Sequence, residues 1–233
     1  MSVDIIADIG SNHNGDLDRA QDLVRAAAMA GADTVKVQVF RADLLWRVSA
    51  PQHAATKLYE MPLGWLPALK DEAADAGIKF LATPFDLRAV EALARLGVER
   101  FKIASGDLTY APLLDAIAQV GKPVVLSTGG ATRSEIAAAI GRLRAHDRTL
   151  PITVLHCVPL YPALPSQMAL AHILDLVDDF VMVPAYAGMT SVGLSSHVLA
   201  WHVDLAAIPY GLACIEKHFD LSNSVGVERG HSL

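Results

Sequence analysis

The sequence has few of the features that mark secreted or membrane-spanning proteins. It contains two cysteines in 233 residues, Cys157 and Cys214, and both lie within apolar stretches. We therefore expect free, buried thiols and a reducing, cytoplasmic location rather than a disulfide framework. No run of about 18 apolar residues exists, and the start, MSVDIIADIG, lacks the basic and apolar regions of a signal peptide. We expect neither a membrane span nor a leader.

A basic tract is also missing. The chain carries 19 Lys and Arg residues against 25 Asp and Glu residues, which gives a formal net charge of −6. This balance argues against nucleic acid or an anionic membrane surface as the partner. An anionic small substrate would need a local cluster of lysines, hydroxyls and backbone N–H groups. Hydrophobic residues make up 52% of the chain, which is enough for a sizeable core.

Short apolar segments alternate with amphipathic segments along the chain. The apolar segments predict eight strands, at residues 5–10, 34–40, 79–85, 100–105, 123–128, 152–157, 192–197 and 214–219. Helical spacing of apolar residues predicts the helices between them, with caps at Asp16, Asp86, Thr109 and Thr132. Eight such β/α units predict the TIM (β/α)8 barrel fold, as a single domain over residues 1–233.

Three segments depart from this regular pattern. Residues 41–61 are predicted to form a long polar loop that covers the site as a lid. Residues 180–186 are apolar and fit either a cover or a crossing segment. Residues 221–233, after the last strand, are too few and too rich in glycine for an eighth helix. We expect that helix to be missing or supplied by a partner, which favours a homodimer, a larger oligomer or a separate chain.

Each predicted strand ends on polar or charged residues, and this is the face on which TIM barrels carry their active sites. Lys36 and Lys102 lie within strands, where an unpaired buried charge would cost on the order of several kcal/mol, so we interpret them as facing an anion. Nearby hydroxyls would complete a cradle for phosphate and carboxylate, although each also fits a helix cap or turn. They are Ser105, Ser127, Thr128 and Ser195. His156 fits a core histidine equally well.

Two motifs near the end of the chain suggest a metal site. GLSSHV (193–198) places Ser195 two residues before His197, and CIEKHFDL (214–221) places Glu216 two residues before His218. Because strand residues alternate between faces, each pair points to one side. Two imidazoles and a carboxylate suit a divalent metal. The alternative is two unrelated histidines, one at a helix start and one in the core.

Together these segments resemble the sialic acid (N-acetylneuraminate) synthase family, whose members include enzymes that make legionaminic, pseudaminic and spore-coat sugars. The similar segments occur in the family's order and span nearly the whole chain. They are ADIGSNHNGD (7–16), GADTVKVQ (31–38), ATPFD (82–86), FKIASGD (101–107), VLSTGG (125–130), LHCVPLYP (155–162), GLSSH (193–197) and IEKHF (215–219).

The resemblance implies a transferase. Such an enzyme condenses phosphoenolpyruvate with an open-chain amino-sugar aldehyde, with C–O cleavage and phosphate release, to give a nonulosonic or related 3-deoxy-2-keto acid. It implies a divalent metal on His197 and His218, with Mn²⁺ expected and Mg²⁺ or Co²⁺ as alternatives. Catalytic roles fall on Asp8, Lys102, Glu216 and His218. Substrate binding falls on Asn12, His13, Lys36, Gln38, Thr83, Lys102, Ser105, Ser127, Tyr161 and Ser195.

The chain departs from the family pattern mainly on the sugar side. Asp8 stands where the family usually has Glu, Pro159 replaces a side-chain donor, and Ser196 replaces an acid. The segment GVERGH (226–231) also differs, and the family's C-terminal antifreeze-like domain has no counterpart in the sequence. These departures favour an altered acceptor. The alternatives are a non-catalytic paralogue that binds phosphoenolpyruvate or a sugar and needs a second chain, and an aldolase or isomerase of another phosphorylated substrate.

Overall fold

Eight parallel strands close into a barrel in chain order, β1 to β8. The computed structural model describes residues 2–183, 188–221, 228, 230 and 232. The strands are β1 Asp4–Gly10, β2 Thr34–Val39, β3 Lys79–Pro84, β4 Phe101–Ile103, β5 Val124–Ser127, β6 Ile152–Cys157, β7 Thr190–Ser196 and β8 Cys214–His218. Closure comes from β1 and β8, which pair from Asp4 with Cys214 to Asp8 with His218. The predicted TIM barrel is confirmed.

Helices follow the strands around the outside of the barrel. Within the described residues they are α1 Leu17–Met29, α2 Ala42–Leu45, α3 Pro51–Lys57, α4 Leu66–Asp75, α5 Leu87–Leu96, α6 Ala111–Val120, α7 Arg133–Leu143, α8 His172–Leu176 and α9 Trp201–Ala207. In the part of the chain that the structure describes, no helix is long and apolar enough to span a membrane.

The predicted helix caps are confirmed at three of four positions. Asp16 accepts a hydrogen bond from the backbone of Arg19, Asp86 caps α5, and Thr132 forms a capping box with Glu135. The prediction for Thr109 is wrong, because α6 begins two residues later without a side-chain cap. Its first turn contains a proline, whose fixed φ favours helix initiation without such a cap.

The irregular segments differ in part from expectation. Residues 41–61 contain α2 and α3 and are therefore not simply a loop. α8 continues into a π-helical turn at Val177–Val181, which takes in the start of the ambiguous run 180–186. The rest of that run, from residue 184, lies outside the described residues. Among the residues described after β8, none is helical. Supply of an eighth helix by a partner stays a prediction.

The barrel interior has an apolar layer directly beneath a polar one. Ile6, Leu81, Val125, Leu155 and Cys214 form a buried cluster of their own, separate from the main core between strands and helices. Two residues further along the same strands come Asp8, Thr83, Ser127, Cys157 and Glu216. Because alternate strand residues face the same side, each of these lies above an apolar neighbour, toward the carboxyl end of the barrel. The interior thus has an apolar floor and a polar upper layer.

Candidate active site

A pocket of about 230 Å³ opens at the carboxyl ends of the strands, above the apolar floor. It collects nearly all of the side chains that the sequence singled out. The predicted residues in its lining are Asp8, Lys36, Gln38, Thr83, Lys102, Ser105, Ser127, Tyr161, Ser195, His197, Glu216 and His218. The period of two along the strands places most of them there, whereas Ser105, Tyr161 and His197 come from the segments that follow β4, β6 and β7.

Four charged side chains form a continuous chain of contacts in this pocket. Lys36 Nζ lies 2.9 Å from Asp8 Oδ2 and 3.3 Å from Glu216 Oε2. Lys102 Nζ lies 3.7 Å from Glu216 Oε1 and donates to Ser127 Oγ at 2.7 Å. All four charged residues are buried. Cations and anions therefore alternate, with Glu216 between the two lysines.

The surroundings shift the pKa values of Asp8, Lys36 and Lys102 in different directions. Burial would raise the pKa of Asp8, but Lys36 and His218 outweigh it and lower that pKa to about 2. Burial would lower the pKa of Lys36, and the neighbouring carboxylates raise it instead. Burial dominates at Lys102 and lowers its pKa, with a further contribution from the positive charge of Lys36. An incoming anion would therefore stabilise the charged form of Lys102.

Among the described residues, two buried polar atoms in the pocket lack a hydrogen-bond partner. They are Thr83 Oγ1 and Glu216 Oε2, and the latter has only the 3.3 Å ionic contact with Lys36. Buried polar groups are nearly always paired in folded proteins, so an unpaired hydroxyl in a pocket indicates a place for a ligand atom. Thr83 Oγ1 lies in the same lining as both lysines.

His197 and His218 converge at one side of the pocket. Their ring centroids are 5.5 Å apart, and Tyr161 stacks on His197 at 4.0 Å. His197 Nδ1 lies 2.7 Å from the carbonyl oxygen of Val158, which can only accept, so Nδ1 carries the proton. Burial is the main cause that lowers the pKa of His197 to about 4. The ring is therefore neutral near pH 7 and can offer Nε2 as a ligand.

His218 is held by carboxylates instead. Its Nδ1 lies 2.9 Å from Glu228 Oε2 and 3.7 Å from Asp8 Oδ2. Burial disfavours the charged ring, but these carboxylates outweigh burial and raise the pKa of His218. Within the described part of the chain, no three His, Cys, Asp or Glu side chains form a ready metal cluster. Two imidazole donors still fit a catalytic site whose other positions are taken by substrate or water.

Asn12 and His13 lie outside the pocket lining, although the sequence grouped them with substrate-binding residues. Both are fully buried behind the end of β1. Asn12 donates to the carbonyl of Phe219, and His13 accepts from the backbone of Gly15 and packs edge-on against Trp65. Their contacts in the structure fix the turn after β1. His156 is likewise buried outside this pocket, with Nε2 2.6 Å from Met168 O, which supports the core alternative.

Ser196 faces away from the pocket, toward α9. Its hydroxyl bonds to the carboxylate of Asp204, and Lys217 Nζ lies 2.8 Å from Asp204 Oδ2. All three lie in the layer between β7, β8 and α9, and Ser196 and Asp204 are buried. The serine that replaces the family's acid is therefore not a change in the pocket itself, and Asp204 supplies a carboxylate from a different element.

Two titratable side chains at the site, Cys157 and Glu228, were not singled out as site residues by the sequence. Cys157 lines the pocket next to Ser105 and Ser195, and burial raises the pKa of its thiol. Glu228 contacts His218 across the end of β1. The only sequence signal for Glu228 is its place in the divergent segment 226–231.

Comparison with known families agrees with this geometry. Residues 23–233 match the model of the NeuB family. The chain belongs to the NeuB family. Its relatives include the N,N'-diacetyllegionaminic acid synthase of Campylobacter jejuni, which is 37% identical over 236 residues and is matched over 95% of this chain and 68% of its own length. The resemblance inferred from the motifs is confirmed.

Solved NeuB structures have the same barrel. The N-acetylneuraminic acid (sialic acid) synthetase of Leptospira borgpetersenii, in complex with citrate, superposes with a TM-score of 0.92 at 31% identity, over 100% of this chain and 79% of that chain. The Bacillus subtilis protein SpsE, named for spore coat polysaccharide biosynthesis, gives a TM-score of 0.86 at 34% identity, over 99% and 63%. The chain spans 63% to 68% of the length of the first curated relatives it matches.

Proposed function

We propose that this NeuB-family protein condenses phosphoenolpyruvate with an open-chain sugar aldehyde, giving a 3-deoxy-2-keto sugar acid and inorganic phosphate. The observation that carries the proposal is the pair of buried lysines, Lys36 and Lys102, in a small pocket with an unpaired hydroxyl at Thr83. Buried cations with hydroxyl donors suit a compact substrate that carries both a phosphate and a carboxylate.

Phosphoenolpyruvate occupies the deep half of the pocket in this proposal. Lys102 and Ser127 already form a donor pair at 2.7 Å, and Ser105 Oγ accepts from the backbone of Gly129 at 2.9 Å. An arriving anion would take hydrogen bonds from these groups without large rearrangement. The close approach of Gly129 matters here, because a Cβ on it would lie 3.0 Å from Ser105 Oγ.

The reaction balances with one water. The terminal carbon of phosphoenolpyruvate attacks the aldehyde carbon, the aldehyde oxygen takes up a proton, water adds at the adjacent carbon, and phosphate leaves with its bridging oxygen. The two lysines neutralise charge on phosphate and carboxylate. Asp8 and Glu216 both have lowered pKa values, caused by the lysines against burial, so they are proton acceptors rather than donors. In the proposed reaction, either carboxylate would accept a proton from the added water.

His197 and His218 would hold a divalent metal, with Mn²⁺ as the first candidate and Mg²⁺ and Co²⁺ as alternatives. When bound, such a metal polarises the aldehyde as a Lewis acid. Tyr161 stacks on His197, which keeps one face of that ring from solvent. Pro159 also lines the pocket and offers no side-chain donor, so we place the acceptor on this side and expect fewer polar contacts to it.

The test is phosphate release from phosphoenolpyruvate by the purified protein with Mn²⁺, across a panel of aldoses and 2-acetamido sugars, with mass spectrometry of the product. We expect turnover with at least one acceptor and its loss in Lys102→Ala. Binding of phosphoenolpyruvate by calorimetry without turnover on any acceptor would support the non-catalytic alternative instead. Turnover of a phosphorylated sugar without phosphoenolpyruvate would support an aldolase or isomerase.

A further inference from the structure

Glu228 inserts its carboxylate between the ends of β1 and β8. Its Oε2 lies 2.9 Å from His218 Nδ1, and its Oε1 accepts from the backbone N–H of Ser11 at 3.1 Å. Its own backbone N–H donates to Asn12 Oδ1 at 2.8 Å. The side chain is thus fixed from both ends by the turn that follows β1, and it meets a ring of the candidate metal site.

Gly10 makes room for this carboxylate. A Cβ built on Gly10 would lie 2.0 Å from Glu228 Oε2, far inside van der Waals contact. Gly10 also has a φ of +46°, a left-handed conformation that side chains rarely adopt. The end of β1 therefore provides a cradle that fits Glu228 only while position 10 is glycine.

Asn12 connects Glu228 to the barrel a second time, through Ser232. Its Nδ2 donates to the carbonyl of Phe219 at 3.0 Å and to Ser232 Oγ at 3.1 Å. Ser232 Oγ in turn donates to the carbonyl of Glu228 at 2.8 Å. Asn12 therefore has a defined structural task, which is to hold Glu228 and Ser232 next to Phe219, the residue that follows β8.

A carboxylate on one ring nitrogen of a histidine fixes the tautomer and the ring orientation, and it makes the other nitrogen a better ligand. We propose that Glu228 is the positioning residue for His218, holding the proton on Nδ1 and directing metal ligation to Nε2. This inference rests on the proposed metal site. The two candidate ligands are then oriented by different groups, because Nδ1 of His197 contacts the carbonyl oxygen of Val158 and Nδ1 of His218 contacts the carboxylate of Glu228.

The first test measures Mn²⁺ binding by calorimetry. Loss of such an outer partner weakens metal binding by roughly 10- to 100-fold, and we expect that loss for Glu228→Ala. Glu228→Gln keeps an acceptor oxygen and should lose less. Gly10→Ala should weaken binding as Glu228→Ala does, because the new methyl group displaces the carboxylate. Wild-type affinity in both Glu228→Ala and Gly10→Ala would overturn the proposal.

Gly77→Ala is the matched control for Gly10→Ala. Gly77 also has a positive φ, +75°, but nothing lies within 4 Å of a Cβ built there. It carries the same kind of backbone strain without touching Glu228. We expect it to bind Mn²⁺ like the wild type, with thermal unfolding used to confirm that each variant is folded. A loss of affinity in Gly77→Ala as large as that in Gly10→Ala would contradict the role of the cradle.

A second measurement does not need the metal. The ¹⁵N chemical shifts of His218 in metal-free protein report which nitrogen carries the proton. At alkaline pH, where the ring is neutral, we expect the Nδ1–H form in wild type and Glu228→Gln, and a mixture in Glu228→Ala. If wild type binds no divalent metal, the proposed site is wrong while this readout still tests positioning. An unchanged tautomer in Glu228→Ala would overturn the positioning role by itself.

Discussion

Lys36 Nζ and Asp8 Oδ2 form a 2.9 Å ion pair between residues that the parallel register of β1 and β2 places side by side. Both are buried, and removal of one partner from a buried pair leaves an uncompensated charge. We expect Lys36→Met to lower the free energy of unfolding by about 3–5 kcal/mol, measured by urea denaturation. Lys122→Met, at an exposed position, is the control and should change it little.

The ion pair between Asp8 and Lys36 also predicts that substitutions at the two positions have non-additive effects on the free energy of unfolding. Asp8→Asn in the Lys36→Met background removes the charge that the first change left unpaired. The double variant should therefore be less destabilised than the sum of the single variants. Strictly additive changes would mean that Asp8 and Lys36 do not depend on each other for their charge.

Ser127 should matter for binding of phosphoenolpyruvate more than for folding. Its hydroxyl accepts from Lys102 Nζ at 2.7 Å. Loss of a hydrogen bond to a charged group costs about 1.5–3 kcal/mol, which is roughly 10- to 100-fold in affinity. We expect Ser127→Ala to weaken phosphoenolpyruvate binding by that factor in calorimetry. Ser134→Ala, on the exposed face of α7, should bind normally; equal loss in both would rule out the Lys102–Ser127 contact as the cause.

His13 should make the fold sensitive to acid. Burial is the main cause that lowers its pKa from 6.5 to about 4. Between those two pH values the unfolded chain binds a proton that the folded chain does not, so stability falls as the pH decreases through this window and is unaffected by His13 above it. The full effect is about 3 kcal/mol, and burial of His197 acts with the same sign.

His13→Gln should flatten the pH dependence of the unfolding free energy between pH 6.5 and 4. The control is His202→Gln on exposed surface, which should keep the wild-type slope. If His13→Gln and the wild type lost stability in parallel over this range, His13 would not be the group responsible.

Gly193 and Gly141 should respond to alanine with opposite signs. A Cβ on Gly193 would lie 2.6 Å from Leu155 Cδ2 and 2.8 Å from the carbonyl oxygen of Cys214, so overpacking should cost about 1–3 kcal/mol. Nothing lies within 4 Å of a Cβ on Gly141, inside α7, where alanine should add about 0.5–1 kcal/mol. Thermal denaturation of both variants tests this, and stabilisation by Gly193→Ala would contradict the packing of the barrel interior.

A carboxylate on β7 should be able to replace the carboxylate of Asp204. Asp204→Ala leaves Lys217 without its 2.8 Å carboxylate partner and should destabilise the fold by about 3–5 kcal/mol. Adding Ser196→Asp returns a carboxylate to the same cluster, since Lys217 Nζ already lies 3.3 Å from Ser196 Oγ. We expect the double variant to recover part of the loss in urea denaturation. No recovery would show that the position of the carboxylate, and not only its charge, is fixed.

The sequence was most informative where the two-residue periodicity of the strands determined both the fold and the position of the site residues. Apolar runs identified all eight strands, and the same alternation put Lys36, Thr83 and Glu216 into one pocket. Contacts between distant segments were not predictable in this way. Glu228 and Ser11 are separated by 217 positions, and no local pattern relates them. Asn12 and His13 were grouped with the pocket because they follow the end of the first strand, while in the structure their side chains contact the turn after β1, Phe219 and Trp65.

The apolar floor of the barrel has a kinetic consequence. Ile6, Leu81, Val125, Leu155 and Cys214 fill the interior beneath the pocket and block passage along the barrel axis. Substrates and products would therefore enter and leave the pocket at the carboxyl ends of the strands. A molecule bound against the lysines would be trapped beneath one bound later at the rim. If the proposed function holds, phosphoenolpyruvate should bind first and the acceptor second, and the joined product should leave before the next phosphoenolpyruvate enters.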